Sequence, residues 1–275
     1  MKGEVNKTKI MMTETIILHD VSIGYRTHRG VRTVAAGISA AIRAGELTCL
    51  LGRNGVGKST LLRTLAAFQP ALAGTISVCG QPLTAYTPRQ LARQIGIVLT
   101  ERPDVWQMTV HDLVAMGRAP YTGFWGQLTD DDERTVSDAV SLVGISDLSR
   151  RQVTTLSDGE RQKVMIAKAL AQQTPIIMLD EPTAFLDYPS KVDTLLLLQR
   201  ISREQQKTVF LSTHDLELAL QVADRLWLLE AGGLLHTGSP AELSAQGVLS
   251  RFVEQDGNAR LDTETMDIKV NGGRR

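Results

Sequence analysis

Gly52, Gly55, Gly57, Lys58 and Ser59 stand in the spacing G-x-x-x-x-G-K-S within "ELTCLLGRNGVGKSTLLRTLAAF". Glycines there let the backbone curl so that successive N–H groups point inward at anionic oxygens. A helix that begins directly afterwards adds the partial positive charge of its N-terminus. Lys58 would reach the β- and γ-phosphates of a nucleotide, and the Ser59 hydroxyl would ligate Mg²⁺. Strand, glycine loop and helix come in the order that a P-loop requires, so this stretch is expected to bind a nucleoside triphosphate.

Two further apolar runs end in residues of complementary chemistry. Ile176-Ile177-Met178-Leu179 reads as a strand buried on both faces, and Asp180 and Glu181 follow where it ends. Ligands of open α/β sheets sit beyond the carboxyl ends of the strands. Asp180 fits a Mg²⁺-associated carboxylate. Glu181 is placed to orient or deprotonate an attacking water, a role worth roughly 10²–10⁴-fold in rate. A third run, "TVFLSTHD", ends in Ser212, Thr213 and His214, polar groups suited to a γ-phosphate. Lys58, Glu181 and His214 are thus the candidate catalytic residues, and Ser59 and Asp180 the candidate metal ligands.

With these motifs in place, the chain resembles the nucleotide-binding subunits of ATP-binding cassette (ABC) transporters. The likeness covers about 16–238 and rests on five ordered motifs. They are "GRNGVGKST" (Gly52, Asn54, Gly55, Gly57, Lys58, Ser59 and Thr60), the signature "LSDGE", "IIMLDE", "FLD" ending at Asp187, and His214. The resemblance implies that Tyr25, in "VSIGY", stacks on adenine, a contact worth roughly 1–3 kcal/mol per base. It also implies that Ser157 and Gly159 of the signature face the ATP held by a second copy, so that two ATP molecules are sandwiched between two chains. Physically, a helix start with a hydroxyl and exposed N–H groups is a second donor set for phosphate oxygens. Charge spreads over those oxygens during phosphoryl transfer, which makes clamping from both sides the catalytic need.

"LSDGE" departs from the commoner LSGGQ at Asp158 and Glu160, as in the branch that imports iron chelates, haem and vitamin B12. Most of the family carries a glutamine after the strand in "RQIGIV", and matching "MTVHDLVAMGR" to the iron-chelate branch puts Thr100 there with Glu101 next to it. Glu101 is the expected substitute oxygen ligand for Mg²⁺, the alternative being a water with Glu101 merely solvated. Trp106, Tyr121, Phe124 and Trp125 lie among turn formers, either as a contact for a permease or as local packing. The resemblance further implies integral membrane permease subunits and, indirectly, a substrate-binding protein as partners. The implied location is the cytoplasmic face of the plasma membrane. A soluble cassette ATPase on an assembly scaffold and an exporter subunit are the rival readings, and the cargo stays open among haem, ferric siderophores and cobalamin.

The elements that must position these residues are expected as follows. The fold class is α/β, a P-loop NTPase core with a peripheral antiparallel β-subdomain and an inserted helical subdomain. The cassette is expected over 14–240, with the helical part at about 102–165 and a C-terminal extension at 241–275. Ile16–Leu18 and Val21–Ile23 read as two antiparallel strands before a charged turn at Arg26–Arg32, and the stretch from Ala73 continues that region. Thr129 caps an amphipathic helix whose Val136, Val140 and Val143 share one side. A later helix turns Val192, Leu195, Leu196 and Ile201 inward. Two short strands are expected in "ARLDTETMDIKV", and a frayed end in "NGGRR".

Composition narrows the class. Of 275 residues, 43% are hydrophobic and 22% charged, and the formal net charge is zero. That balance belongs to an ordinary globular chain and disfavours sequence-independent nucleic-acid binding, so no nucleic-acid partner is expected. No run is long enough to cross a bilayer, and the first 20 residues lack the apolar core of a signal peptide. Cys49 and Cys79 sit in apolar segments and read as two buried thiols of a reducing compartment.

Overall fold

The computed structural model describes residues 13–27, 30–100, 107–123, 126–255 and 259–270. The chain opens with a long antiparallel pair, β1 (Glu14–Thr27) and β2 (Gly30–Arg43). The two short strands expected in β1 are one strand with a bulge. Asp20 takes φ 50° there, and the buried positions shift from Ile16 and Leu18 to Val21 and Ile23. One inserted residue switches the alternation, which is why the segment reads as two pieces. Much of the stretch expected as a charged turn is strand, since Arg26 pairs with Val31 and Arg32 with Tyr25.

β3 (Leu47–Leu51) leads into α1 (Lys58–Leu65) across the glycine loop. β4 (Ala73–Val78) then pairs with β1, and β5 (Gln81–Pro82) with β4, giving a four-stranded antiparallel sheet in the order β2-β1-β4-β5. Cys79 falls just past β4, exposed and at φ 46°, not buried; Cys49 is fully buried. A short helix, α2 (Pro88–Leu91), precedes β6 (Ile95–Val98).

The middle of the chain is helical, with α3 (Val110–Ala115), α4 (Asp130–Leu142) and α5 (Asp158–Ala171) packed on one another. Thr129 caps α4 as expected, its hydroxyl accepting from Asp132 N–H while the Asp132 carboxylate accepts from Thr129 N–H. Val136, Val140 and Val143 are buried. Then come β7 (Ile176–Asp180), α6 (Tyr188–Glu204), β8 (Thr208–Thr213), α7 (Leu216–Val222), β9 (Arg225–Leu229) and β10 (Leu235–Gly238). In α6, Leu195 and Ile201 are buried and Val192 half-buried, but Leu196 is 48% exposed. Adjacent to Leu195, it lies 100° further round the helix and out of the stripe.

The main sheet has six strands in the order β10-β9-β3-β8-β7-β6, parallel except for β10 at one edge. Alternate residues of its central strands enter two cores. Leu47, Cys49, Leu51, Ile177 and Leu179 pack with the helices α5 to α7, while Leu50, Ile176 and Met178 pack with α1 and the antiparallel sheet. Both faces are covered, which explains the unbroken apolar runs of β3, β7 and β8. The chain closes with α8 (Pro240–Ala245), α9 (Val248–Glu254) and the hairpin β11 (Ala259–Leu261) with β12 (Ile268–Val270). Leu249 and Leu261 are buried in the same core as α5 to α7, so this end is packed against the body of the protein. The final "NGGRR" lies outside the described residues. Among the described residues, no helix is long and apolar enough to cross a membrane.

Candidate nucleotide site

Strand register assembles the site. Leu50 pairs with Ser212 and Leu51 with Thr213 across β3 and β8, and Asp180 pairs with Ser212 across β7 and β8. Three strands therefore end side by side, and their next residues project beyond the sheet. After β3 the chain curls through the glycine loop. Gly57 caps α1 at φ 118°, and a Cβ there would stand 2.4 Å from Val34 Cγ1. Only glycine fits that conformation and that space. The first turn of α1 carries no acidic residue and no side-chain cap, so its N–H groups stay available to an anion.

Lys58 is 5% exposed, and its Nζ donates to the carbonyl oxygens of Gly52 at 2.8 Å and Arg53 at 3.4 Å. Burial pushes its ammonium below the ordinary lysine range, against the opposing pull of Glu181 and Asp180. The Glu181 carboxylate lies 3.9 Å from Lys58 Nζ and 3.7 Å from His214 Nδ1. Asp180 is buried, and its Oδ1 accepts from Ser59 Oγ at 3.1 Å and from Ser212 Oγ at 2.6 Å. Ser59 and Asp180 thus form a pair of hard oxygen donors beside the phosphate loop. Among the described residues no cluster of three or more His, Cys, Asp or Glu could hold a metal by itself. Two protein oxygens completed by phosphate oxygens is the arrangement that suits Mg²⁺.

Other expected residues gather around this centre or stand away from it. Tyr25 is 42% exposed on β1, with its hydroxyl hydrogen-bonded to Thr60 Oγ1 of α1, so its ring stands at the edge of the loop. Asn54 and Gly55 are exposed at the loop tip. Among the described residues, no hydrogen bond joins Ser157 or Gly159 to the glycine loop. Ser157 caps α5, its N–H donating to Glu160 Oε2 at 2.8 Å while its hydroxyl accepts from Glu160 N–H at 3.3 Å. Glu160 thus closes a capping box, as the glutamine of LSGGQ could, and the Ser157 hydroxyl, which accepts in it, keeps its own O–H to donate. Gly159 lies against α6, where a Cβ would meet Ser190 Oγ at 3.0 Å. Ser190 also bonds Asp187, the cap of α6, and holds its carboxyl below the usual range.

Glu101 lies outside the described residues, as do Trp106, Phe124 and Trp125. Thr100 is anchored directly to the site, its hydroxyl donating to the Asp180 carbonyl at 2.7 Å. Tyr121 is locally packed, its ring under the guanidinium groups of Arg118 at 4.1 Å and Arg93 at 4.9 Å, and its hydroxyl donating to Gln172 O.

Sequence reasoning missed two contributors. Ser212 was visible only as one polar residue near His214, and its contact with Asp180 depends on strand register. The second is the chain's end. A cavity of about 620 Å³ has Gly52, Arg53, Asn54 and His214 on one side and Phe252, Val253 and Ile268 on the other. No local pattern announces that shared cavity.

Comparison with known proteins identifies the family. Residues 35–184 match the family model described as ABC transporter. The chain is 39% identical to the hemin import ATP-binding protein HmuV of Streptomyces coelicolor, over 84% of this chain and 82% of that one. It is 35% identical to the ferric enterobactin transport ATP-binding protein FepC of Escherichia coli, over 88% and 89%. Among solved structures, cbiO1 from Clostridium perfringens, part of the ABC transporter complex cbiONQ, aligns with a TM-score of 0.75 at 27% identity, covering 88% of this chain and 95% of that one. Through the matched family model, these full-length relatives and the strand-end motifs, the chain belongs to the ABC transporter family, as one of its ATP-binding cassettes.

Proposed function

We propose that this chain hydrolyses ATP as one of two copies acting together and so energises import of an iron chelate, haem or cobalamin through a separate membrane permease. The observation that carries the reading is the convergence of Lys58, Ser59, Asp180, Glu181 and His214 at three neighbouring strand ends. Lys58 and the α1 N-terminus receive the phosphates. Ser59 and Asp180 are the residues that would hold Mg²⁺, which when bound neutralises charge on the β- and γ-phosphates. The Glu181 carboxylate orients the attacking water and takes its proton. His214, beside Glu181, donates toward the γ-phosphate and helps to hold that carboxylate. Tyr25 stacks on the base, and Ser157, Gly159 and Asp187 act toward the partner copy's nucleotide.

The cassette spans 14–240, with the helical part at about 102–165, and 241–275 is a C-terminal extension. A groove of about 830 Å³ supports a permease partner. It runs between the end of α1, β6 and α5, with Leu83, Tyr86, Leu91 and Ile97 in its apolar wall and Phe68 58% exposed on its rim. A mostly apolar groove joining the phosphate-binding helix to the signature helix suits an inserted helix of a membrane subunit. The protein then works at the cytoplasmic face of the membrane. The cargo class comes from the relatives named for hemin and ferric enterobactin.

The test is to express tagged Glu181→Gln protein at native level in its own host, solubilise membranes gently with ATP, and identify what co-purifies. The expected result is a polytopic permease of the iron-chelate or cobalamin type. Recovery only from the soluble fraction, on an assembly scaffold, would leave the ATPase and remove the importer.

A further inference from the structure

Ser212 lies fully buried near the end of β8, and its hydroxyl stands between the two acidic residues of the site. Its one proton goes to Asp180 Oδ1, 2.6 Å away, because a carboxylate accepts and does not donate. Its lone pair takes the Glu181 N–H at 2.9 Å. A single hydroxyl thus holds the side chain of one residue and the backbone of the next.

Glu181 needs such a hold. Its φ is 48°, a left-handed conformation that non-glycine residues rarely adopt and keep only where the surroundings over-determine it. Ser212 Oγ is the acceptor for its N–H. Without that acceptor the peptide is free to relax, and the Glu181 carboxylate, now 3.7 Å from His214 and 3.9 Å from Lys58, swings with it. Thr213, the next hydroxyl, does not duplicate the function, since its Oγ1 accepts from Asp215 N–H at 3.1 Å. The strand itself does not require serine, because a buried parallel strand is equally well filled by an apolar residue.

We propose that Ser212 is a positioning residue for hydrolysis, setting the Glu181 carboxylate relative to Asp180 by binding both at once. This rests on the ATPase reading above. It assigns a function to a residue whose hydroxyl is engaged with both Asp180 and Glu181 and acts through them.

The test compares wild type, Ser212→Ala and Ser212→Thr by steady-state ATPase kinetics and by hydrogen exchange of the Glu181 amide in nucleotide-free, metal-free protein. Ser212→Ala is expected to lower kcat about tenfold or more while the KM for ATP stays within about twofold. Exchange of the Glu181 amide should quicken by about tenfold or more, because its buried acceptor is gone. Ser212→Thr, which keeps the hydroxyl, should restore both readouts. Should its extra methyl group unfold the protein, Ser212→Cys, a weaker donor and acceptor, is expected to fall between wild type and alanine. A kcat within twofold of wild type in Ser212→Ala, unchanged amide exchange, or losses that no folded hydroxyl or thiol variant relieves would overturn the proposal. Wild-type protein without ATP turnover would instead remove the ATPase reading on which it rests.

Discussion

At the scale of residues, the site works by charge balance in a confined space. Lys58 loses hydration by burial, and the carboxylates of Glu181 and Asp180 keep its ammonium favourable in that setting. Glu181 stands where it can serve both as a neighbour of that cation and as the base for water. Replacing it with glutamine keeps the size and removes the basicity. Steady-state assays of Glu181→Gln should show ATP turnover reduced about 10²- to 10⁴-fold with nucleotide affinity kept within a few-fold, and wild-type turnover would remove Glu181 from the chemistry. The residues of the glycine loop were legible because their function is local: Gly57 must adopt a left-handed φ within the same short loop that carries Lys58. Ser212 was not legible. Its partners are reached only when β7 and β8 align Asp180 with Ser212, and a single sequence does not carry register.

At the scale of elements, the helical part is held by a buried charged cluster as well as by apolar packing. Arg118 donates to Asp132 Oδ1 at 2.7 Å, to the Ala171 carbonyl at 2.8 Å and to Gln173 Oε1 at 2.9 Å, which ties the start of α4 to the end of α5. The Thr129 N–H and the Arg118 guanidinium together hold the Asp132 carboxyl down to about 2. A carboxyl depressed in the folded state stabilises it above the unfolded value near 4 and loses that contribution as pH falls through about 2. Removing Arg118 leaves Asp132 buried without its cation, so Arg118→Ala should cost about 3 kcal/mol in chemical denaturation at neutral pH. The difference between the two proteins should shrink below pH 4, and a pH-independent difference would assign the loss to packing alone. The cap at Thr129 could be read from its acidic first turn. The arginine cluster could not, because Arg118 and Ala171 are far apart in sequence. Leu196 was misread for a related reason: in a run of four leucines, composition does not say which of them faces the core.

At the scale of the molecule, the proposed reaction uses two different faces of the chain. The glycine loop, Asp180, Glu181 and His214 gather at three strand ends, while Ser157 caps α5 and Gly159, in its first turn, packs beside Ser190; among the described residues neither has a hydrogen bond to that loop. On the proposed reading, a site split in this way is completed by a second copy around a two-fold axis. The proposed arrangement could be put forward from sequence because each motif is short and continuous. The placing of α9 and the C-terminal hairpin across a cavity from the loop was not declared, since it brings segments far apart in the chain to one cavity without a local pattern. The most direct test of the account mixes two inactive variants. Lys58→Ala removes the phosphate loop's cation, and Gly159→Asp sets a carboxylate at the signature. In a mixed dimer, one site inherits both defects and the other inherits neither. Mixing equal amounts should therefore restore about a quarter of wild-type ATPase activity from two preparations that are each inactive alone, as a two-fold dimer with shared sites requires. A mixture as inactive as its components would contradict the shared site and with it the central claim.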